Sequence, residues 1–175
     1  MKLIFENRRA QNIKLRMVNY AIAALLISLA HVMLIDFISI GNITPDLLLI
    51  LVVWISLREG QFIGIFAGFI IGFLFDLLSY DALFGTNSLA KTVAAFIAGY
   101  FFIQGKSEQL LASVKFVWVT FIAAVVHNLI YFFFYLKFSE ISFAGFFFRY
   151  GIAMSIYTTV FATVVMLVKS TRRNL

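Results

Sequence analysis

The chain has 175 residues, of which 63% are hydrophobic and 13% are charged, and its mean hydropathy is +1.01. Apolar runs long enough to cross a bilayer recur along it, which predicts an all-α polytopic membrane protein. The net charge of +6 does not indicate nucleic-acid binding, because the basic residues lie at predicted helix ends and in a tail. With no cysteine in the chain, a disulfide framework and a thiolate metal site are excluded.

The first predicted helix follows a basic segment, residues 1–16, which carries five Lys and Arg side chains. The apolar run at residues 17–38 is too long for the hydrophobic region of a secretory signal, and no small-residue cleavage site follows it. We therefore expect this run to be an uncleaved transmembrane helix.

The second predicted helix opens at the single proline of the chain, Pro45, which is followed by Asp46 and the apolar run 47–57. A proline at the first helical position suits the helix, and a carboxylate just inside meets the positive end of the helix dipole. The run is short for a full span. We expect this helix to be tilted inside the bundle or only partly inserted.

The third predicted helix, residues 61–78, carries Gly64, Gly68 and Gly72 at four-residue spacing, with Asp76 one step further on. Each step rotates about 40°, so these positions form one slowly drifting ridge. Glycines let another backbone approach closely, and a carboxylate in hydrocarbon needs a polar partner, so the ridge should face protein. Packing inside the bundle and docking of another membrane protein both demand small residues, and the sequence leaves these alternatives open.

Three further helices complete a predicted bundle of six transmembrane helices. No loop between them is long enough to bury a core of its own, so residues 17–168 form a single transmembrane domain, followed by a basic tail, 169–175. The last three helices are expected at about residues 88–103, 114–136 and 144–168, with loops at 79–87 and 104–113 between them.

The basic residues predict the orientation of the bundle. With the N-terminus inside, only Lys91, Lys137 and Arg149 of the 14 Lys and Arg residues lie on the outer side, which is a strong positive-inside bias. Both termini are then cytoplasmic. Trp54 and Trp118 fall near the inner interface, where indole rings favour the headgroup region.

Polar side chains inside the predicted helices are candidates for function. Asp76 and Lys91 lie near the outer ends of helices three and four, where a lone charge costs on the order of 3 kcal/mol or less. We expect them to form an intramembrane ion pair or to extend separately to the interface, with a site for an ion or a ligand as the alternative. His127 and Asn128 lie near the middle of helix five, and His31 is isolated in helix one. No companions for a metal site or a proton relay are evident, so a hydrogen bond between helices is expected.

The sequence carries no known catalytic signature. It has neither a His-Glu-x-x-His nor a Gly-x-Ser-x-Gly motif, and no phosphate-binding Gly-x-x-x-x-Gly-Lys motif. We therefore predict a protein that is not an enzyme and that uses no cofactor and no metal.

Three blocks of sequence carry a resemblance to a known family. They read Pro-Asp-Leu-Leu-Leu at 45–49, Gly-Phe-Ile-Ile-Gly-Phe-Leu-Phe-Asp-Leu-Leu at 68–78, and Phe-Gly-Thr-Asn-Ser-Leu-Ala-Lys-Thr at 84–92. In these blocks, in size and in layout the chain resembles the bacterial rod-shape-determining protein family MreD. The motif match is specific over residues 45–105. The family often has Leu-Gly where this chain has Phe84-Gly85. The positions most characteristic of the family are Pro45, Asp46, Gly68, Gly72, Asp76, Gly85 and Leu89, and we expect Gly85 to permit a tight turn.

The resemblance implies a noncatalytic inner-membrane scaffold of the bacterial elongation (Rod) complex, which directs lateral peptidoglycan synthesis and rod cell shape. Its implied partners are an MreC-like bitopic protein, through it a RodA-like polymerase and a penicillin-binding transpeptidase, and indirectly MreB. The partner's transmembrane helix would dock on one face of the bundle, for which the glycine ridge is a candidate, with packing inside the bundle as the alternative use of the ridge. Homo-oligomerisation is left open.

The resemblance also supplies an alternative function. The family's membrane fold is similar to the substrate-binding subunits of energy-coupling-factor transporters, which implies a small-molecule-binding subunit whose ligand enters between helices from the outer side. Such a site requires a polar cavity lined by aromatic and hydrogen-bonding groups. Contact with a lipid-linked cell-wall precursor is a third alternative, but a pyrophosphate site would call for a cluster of Arg and Lys.

Overall fold

The structure is a computed structural model that describes residues 2–79, 83–137 and 139–173, and the side chains of residues 13–33, 37–79, 83–137 and 139–172. In this part of the chain the protein is all-helical, as predicted, apart from one isolated bridge between Ile40 and Ile43. In chain order the helices are α1 (Lys2–Ile38), α2 (Leu47–Glu59), α3 (Gln61–Leu78), α4 (Thr86–Gly99), α5 (Ser107–Leu111), α6 (Val114–Tyr135), α7 (Phe143–Phe146) and α8 (Ile152–Arg173), with a π-helical turn, Phe147–Gly151, between the last two.

Several helix boundaries differ from the predicted ones. α3 begins and ends at the predicted residues, but α1 extends back through the basic segment to Lys2, because no glycine or proline interrupts it. α8 likewise continues through most of the predicted tail. A five-residue helix, α5, lies within the predicted loop 104–113. α2 continues to Glu59, and the sharp turn into α3 is made at Gly60, whose φ of +100° favours glycine.

Four helical segments are long and apolar enough to cross a membrane. α2 and α4 are shorter, with 13 and 14 residues. At 1.5 Å per residue each covers roughly 20 Å, about two thirds of the hydrocarbon core of a bilayer. The sequence predicts six spans, and the structure has four helices of spanning length with two shorter ones packed among them. The four segments are Ile13–Met33, Gln61–Leu78, Val114–Tyr135 and Phe143–Arg172.

The bundle has two ends of different chemistry. At one end, which we call the basic end, two glutamates form ion pairs with cationic side chains from three helices. Glu59 pairs with Arg16 at 3.4 Å and with Arg58 at 3.8 Å. Glu108 pairs with Arg58 at 3.4 Å and also with Lys169. α2 and α4 end near this cluster and begin at the opposite end, which we call the cavity end.

α2 is the central helix of the bundle. Eight of its 13 residues are buried, and Leu49, Val52, Val53 and Leu57 are wholly inaccessible. Burial on all sides is typical of a helix surrounded by other helices. One apolar cluster joins α2 to α4, α5, α6 and α8, and a second joins it to α1, α3 and α4.

The glycine ridge of α3 packs inside the molecule. A Cβ atom at Gly68 would lie 2.7 Å from the carbonyl oxygen of Lys91, and one at Gly72 would lie 2.6 Å from the Cα atom of Ser88. Gly64 lies against Ser56 of α2 in the same way. The ridge is therefore filled by α2 and α4, so of the two alternatives left open by the sequence the structure supports packing inside the bundle. The opposite face of α3 exposes Phe62, Phe66, Phe69, Ile70, Phe73 and Leu77.

Candidate functional site: a cavity at the ends of two short helices

A cavity of about 740 Å³ lies at the cavity end of the bundle. α2 contributes only its capping residue, Asp46, and α4 contributes only Asn87 of its first turn. The cavity therefore lies at the N-terminal ends of these two short helices. Its lining consists of His31, Val32, Asn42, Thr44, Pro45, Asp46, Phe75, Leu78, Ser79, Asn87, His127, Asn128, Tyr131, Phe132, Tyr135, Phe146, Tyr150, Met154 and Thr158.

Asp46 fixes the start of α2. Its Oδ1 accepts a hydrogen bond of 2.8 Å from the amide of Leu49, and its own amide donates to Oγ1 of Thr158 at 2.9 Å. This geometry makes Asp46 the N-cap, so Pro45 lies just outside the helix and not at its first position as predicted. The capping bond explains the difference, because a side chain that accepts from the third helical amide must belong to the residue before the helix.

Asp76 caps α4 from the end of α3. Its Oδ2 accepts from the amides of Gly85 and Ser88, each at 3.1 Å, and its Oδ1 accepts from the backbone and side-chain amides of Asn87 at 3.2 and 3.0 Å. Gly85 has a φ of +89°, as the tight turn requires. Four donors thus satisfy a carboxylate that is 4% exposed, and the positive end of the α4 dipole stabilises it further.

Lys91 forms its ion pair with Asp46. Its Nζ lies 2.7 Å from Oδ2 of Asp46 and 3.2 Å from both Oδ1 of Asn87 and Nε2 of His127. A lysine ammonium has three N–H donors, and these three partners use them all. The predicted pair of Lys91 with Asp76 is therefore not formed, because the amides at the start of α4 already occupy Asp76. Asn87 bonds to both residues and connects them.

His127 and Asn128 continue this polar network to the last helix. When Lys91 donates to Nε2 of His127, the ring proton lies on Nδ1, which is 3.3 Å from Oδ1 of Asn128. Asn128 then donates from Nδ2 to the carbonyl oxygen of Gly151 at 3.1 Å and to Oγ of Ser155 at 2.9 Å. The hydrogen bond between helices that was expected of this dipeptide is thus present at Asn128.

The π-helical turn shapes one wall of the cavity. Such turns disrupt the regular hydrogen-bond pattern of an α-helix, and here the side chains of Asn128 and Ser155 both donate to the carbonyl oxygen of Gly151. A Cβ atom at Gly151 would lie 2.6 Å from the ring of Phe147, so the turn has no room for a larger residue. The turn places Tyr150 in the cavity wall.

His31 is a residue of the site that the sequence did not connect with it. It lies in the same cavity as Asp46 and His127, with its ring edge-on to Phe75 at 5.0 Å between centroids. Its Nδ1 is buried and has no hydrogen-bond partner among the described residues. Helical spacing could not reveal this grouping, because the residues come from different helices. Among the residues described, no three His, Asp or Glu side chains are grouped so as to hold a metal ion.

The lining combines one carboxylate with many aromatic rings. Asp46 is its acidic residue, and no Lys or Arg belongs to the described lining. Tyr131 stacks on Tyr135 with 5.9 Å between ring centroids, and Phe146 meets Tyr150 at 4.7 Å. The lining therefore offers hydrogen-bonding groups and aromatic rings beside the Asp46 carboxylate.

Apolar residues close the cavity toward the basic end. One turn beyond Asp46 along α2 lies Leu49, one turn beyond Thr158 along α8 lies Ala162, and one turn before His127 on α6 lies Ala124. All three apolar residues are fully buried in one cluster. The cavity is thus a recess with an apolar floor, and in the described part of the chain it ends at this cluster.

Comparison of the chain with protein-family models, with curated proteins and with solved structures gives no match.

Proposed function

We propose that the chain is a noncatalytic, multi-pass subunit of the bacterial inner membrane, of the MreD type, which binds an MreC-like bitopic protein within the elongation complex. Through that partner it would act with a RodA-like polymerase and a penicillin-binding transpeptidase, and indirectly with MreB. The observation that carries the proposal is that the positions behind the resemblance come together in space. Pro45 and Asp46 line the cavity at the start of α2, Asp76 and Gly85 form the cap of α4, and Gly68 and Gly72 pack α3 against α4. Leu89, the seventh of these positions, is 45% exposed.

The proposed orientation puts the basic end in the cytoplasm and the cavity on the outer side. The positive-inside rule supports it, because Arg16, Arg58 and Lys169 gather at the basic end. Trp54 lies at the same end, with its ring 5.9 Å from Nζ of Lys169. On this proposal both termini are cytoplasmic, and α2 and α4 complete a bundle of six spans that is similar to the substrate-binding subunits of energy-coupling-factor transporters.

The hydrogen bonding of the charged residues supports a binding function over a catalytic one. Lys91 and Asp76 are satisfied by partners within the chain, so they stabilise the fold and are not poised to react. The cavity also ends on an apolar floor. A recess of this kind is suited to holding a partner or a ligand. We therefore assign the docking of the partner to the cavity end, because the glycine ridge is packed inside the molecule.

A second function is favoured by the cavity itself. Its volume of about 740 Å³ falls in the range of small-molecule sites, about 300–1,000 Å³, and its lining has the aromatic and hydrogen-bonding groups that such sites need. This supports the alternative of a small-molecule-binding subunit of a membrane transporter.

Affinity purification in mild detergent from the native membrane separates the two functions. The tagged chain is isolated, and the copurifying proteins are identified by mass spectrometry. We expect MreC-like, RodA-like and transpeptidase proteins. Recovery of ATPase and coupling subunits, or of a bound vitamin, would instead establish the transporter subunit.

A further inference from the structure

We infer that the cavity binds a cationic group, an ammonium or a guanidinium, carried either by a small molecule or by a basic side chain of a partner protein. The inference rests on the proposed function in one respect, namely that the cavity is a binding site. It adds the charge and the chemical class of the group that binds there.

Asp46 is the charged residue of the described lining that retains hydrogen-bonding capacity. A carboxylate has about four acceptor positions, and the amide of Leu49 and the ammonium of Lys91 each occupy one. The Asp46 side chain is 21% exposed and lines the cavity. Asp76 differs, because it accepts four hydrogen bonds and is almost fully buried. A bound cation can therefore reach the free positions on Asp46.

An anion would find no positive partner in this cavity. The Lys91 side chain is 1% exposed, its three donors are used and it does not belong to the described lining, which contains no Lys or Arg. Phosphate and pyrophosphate groups are recognised by clusters of Arg and Lys, so they do not fit here.

The aromatic walls of the cavity also suit a cation. Aromatic ring faces carry negative potential and attract cations that lie within about 6 Å of the ring centroid. Three tyrosines and three phenylalanines line the cavity beside Asp46. Aromatic rings near a carboxylate are a recognised setting for holding ammonium groups.

Titration of the purified full-length chain with three ligands of the same aromatic body tests the inference. The ligands are phenethylamine, phenethyl alcohol and hydrocinnamate, which are cationic, neutral and anionic, and binding is measured by calorimetry in nanodiscs. We expect the amine to bind at least about tenfold more tightly than the alcohol, and the anion to bind more weakly still. Equal binding of all three, tighter binding of the anion, or no binding of the amine at millimolar concentration would overturn the inference.

Two variants and one control test whether the preference for the amine arises in the cavity. Tyr150→Leu removes a wall ring and should weaken amine binding several-fold, whereas Tyr100→Leu alters a tyrosine that is 81% exposed and outside the cavity, and should change nothing. Asp46→Asn combined with Lys91→Met removes the charge without leaving an unpaired ion, and Asn can still cap α2. If that double variant is folded and still prefers the amine, the inference is wrong.

Mass spectrometry then distinguishes the two sources of the cation. A small cation should appear as a noncovalent mass on the chain purified from its native membrane, and Tyr150→Leu should lose it. A partner side chain should instead appear as a crosslink from position 150 to a segment containing Lys or Arg. A chain with neither would contradict the inference, while the copurifying partners would still decide the proposed function separately.

Discussion

Lys91 and Asp46 stand 45 residues apart in the sequence, yet Nζ of Lys91 and Oδ2 of Asp46 lie 2.7 Å apart. The pair joins the start of α2 to the first half of α4, and through His127 it reaches α6. It therefore ties α2, α4 and α6 together at the cavity end of the bundle.

The first prediction concerns this ion pair. Lys91→Met leaves the carboxylate of Asp46 without its cation, and losing one partner of a buried pair costs up to about 3–5 kcal/mol. We expect a clearly lower unfolding temperature in detergent. The unfolding is measured by the change in intrinsic fluorescence on heating. Adding Asp46→Asn removes the uncompensated charge and should recover much of the loss. A double variant no more stable than Lys91→Met would show that the pair does not act as described.

The second prediction concerns the glycine ridge. Gly72→Ala places a methyl group 2.6 Å from the backbone of α4 and should cost about 1–3 kcal/mol through overpacking. Gly145→Ala is the matched control, because nothing lies within 4 Å of its added Cβ. Thermal unfolding of both variants measures the difference. Unfolding of Gly72→Ala at the wild-type temperature would contradict the close contact between α3 and α4.

The third prediction concerns the cap of α4. Asp76→Asn replaces one acceptor oxygen by an NH₂ group that faces amide donors, and leaving buried donors unsatisfied costs about 1–3 kcal/mol. Hydrogen exchange of the amides at residues 85–88 should become faster, with little change in α8. Glu140→Gln, an exposed carboxylate, serves as the control. Unchanged exchange at residues 85–88 would rule out Asp76 as the cap.

The fourth prediction concerns pH dependence at the basic end. The hydrogen bond from Lys169 holds the pKa of Glu108 below its usual value of 4.5. Because the pKa is lower in the folded state, the stabilisation is present above the unfolded-state pKa and is lost as the pH falls through the folded-state pKa.

The free energy of unfolding of Glu108→Gln, compared with that of the wild type as the pH is varied, checks the direction of this effect. The Glu108 side chain is 54% exposed, so the loss at neutral pH should be only about 0.2–1 kcal/mol. The difference in unfolding free energy between the variant and the wild type should vanish in acid and shrink in high salt. A difference that grew as the pH fell would contradict the assigned pairing.

Local features of the fold could be predicted from the sequence, because local rules govern them. The bounds of α3 follow from its apolar run and from the turn at Gly60, and the short length of α2 is visible in the run after Pro45. That the glycines of α3 face protein was also predictable from their spacing. Which protein surface they face was not, since it depends on where α2 and α4 lie.

The candidate site depended on contacts that sequence spacing does not encode. Asp76 was expected to pair with the nearest cation, Lys91, but the amides at the start of α4 compete for it and are closer. His31 joins His127 only because α1 and α6 meet the same cavity. The π-helical turn at Phe147–Gly151 has no clear signature in its residues, and its effect on Tyr150 emerges only in the fold.

The most direct test of the account is photocrosslinking in living cells from two positions of the bundle. A photoreactive phenylalanine analogue replaces Tyr150 in the cavity wall or Phe66 on the exposed face of α3, and the crosslinked products are identified by mass spectrometry. The account predicts an adduct with an MreC-like partner from position 150 and lipid adducts alone from position 66. Partner adducts from position 66, with none from position 150, would contradict it.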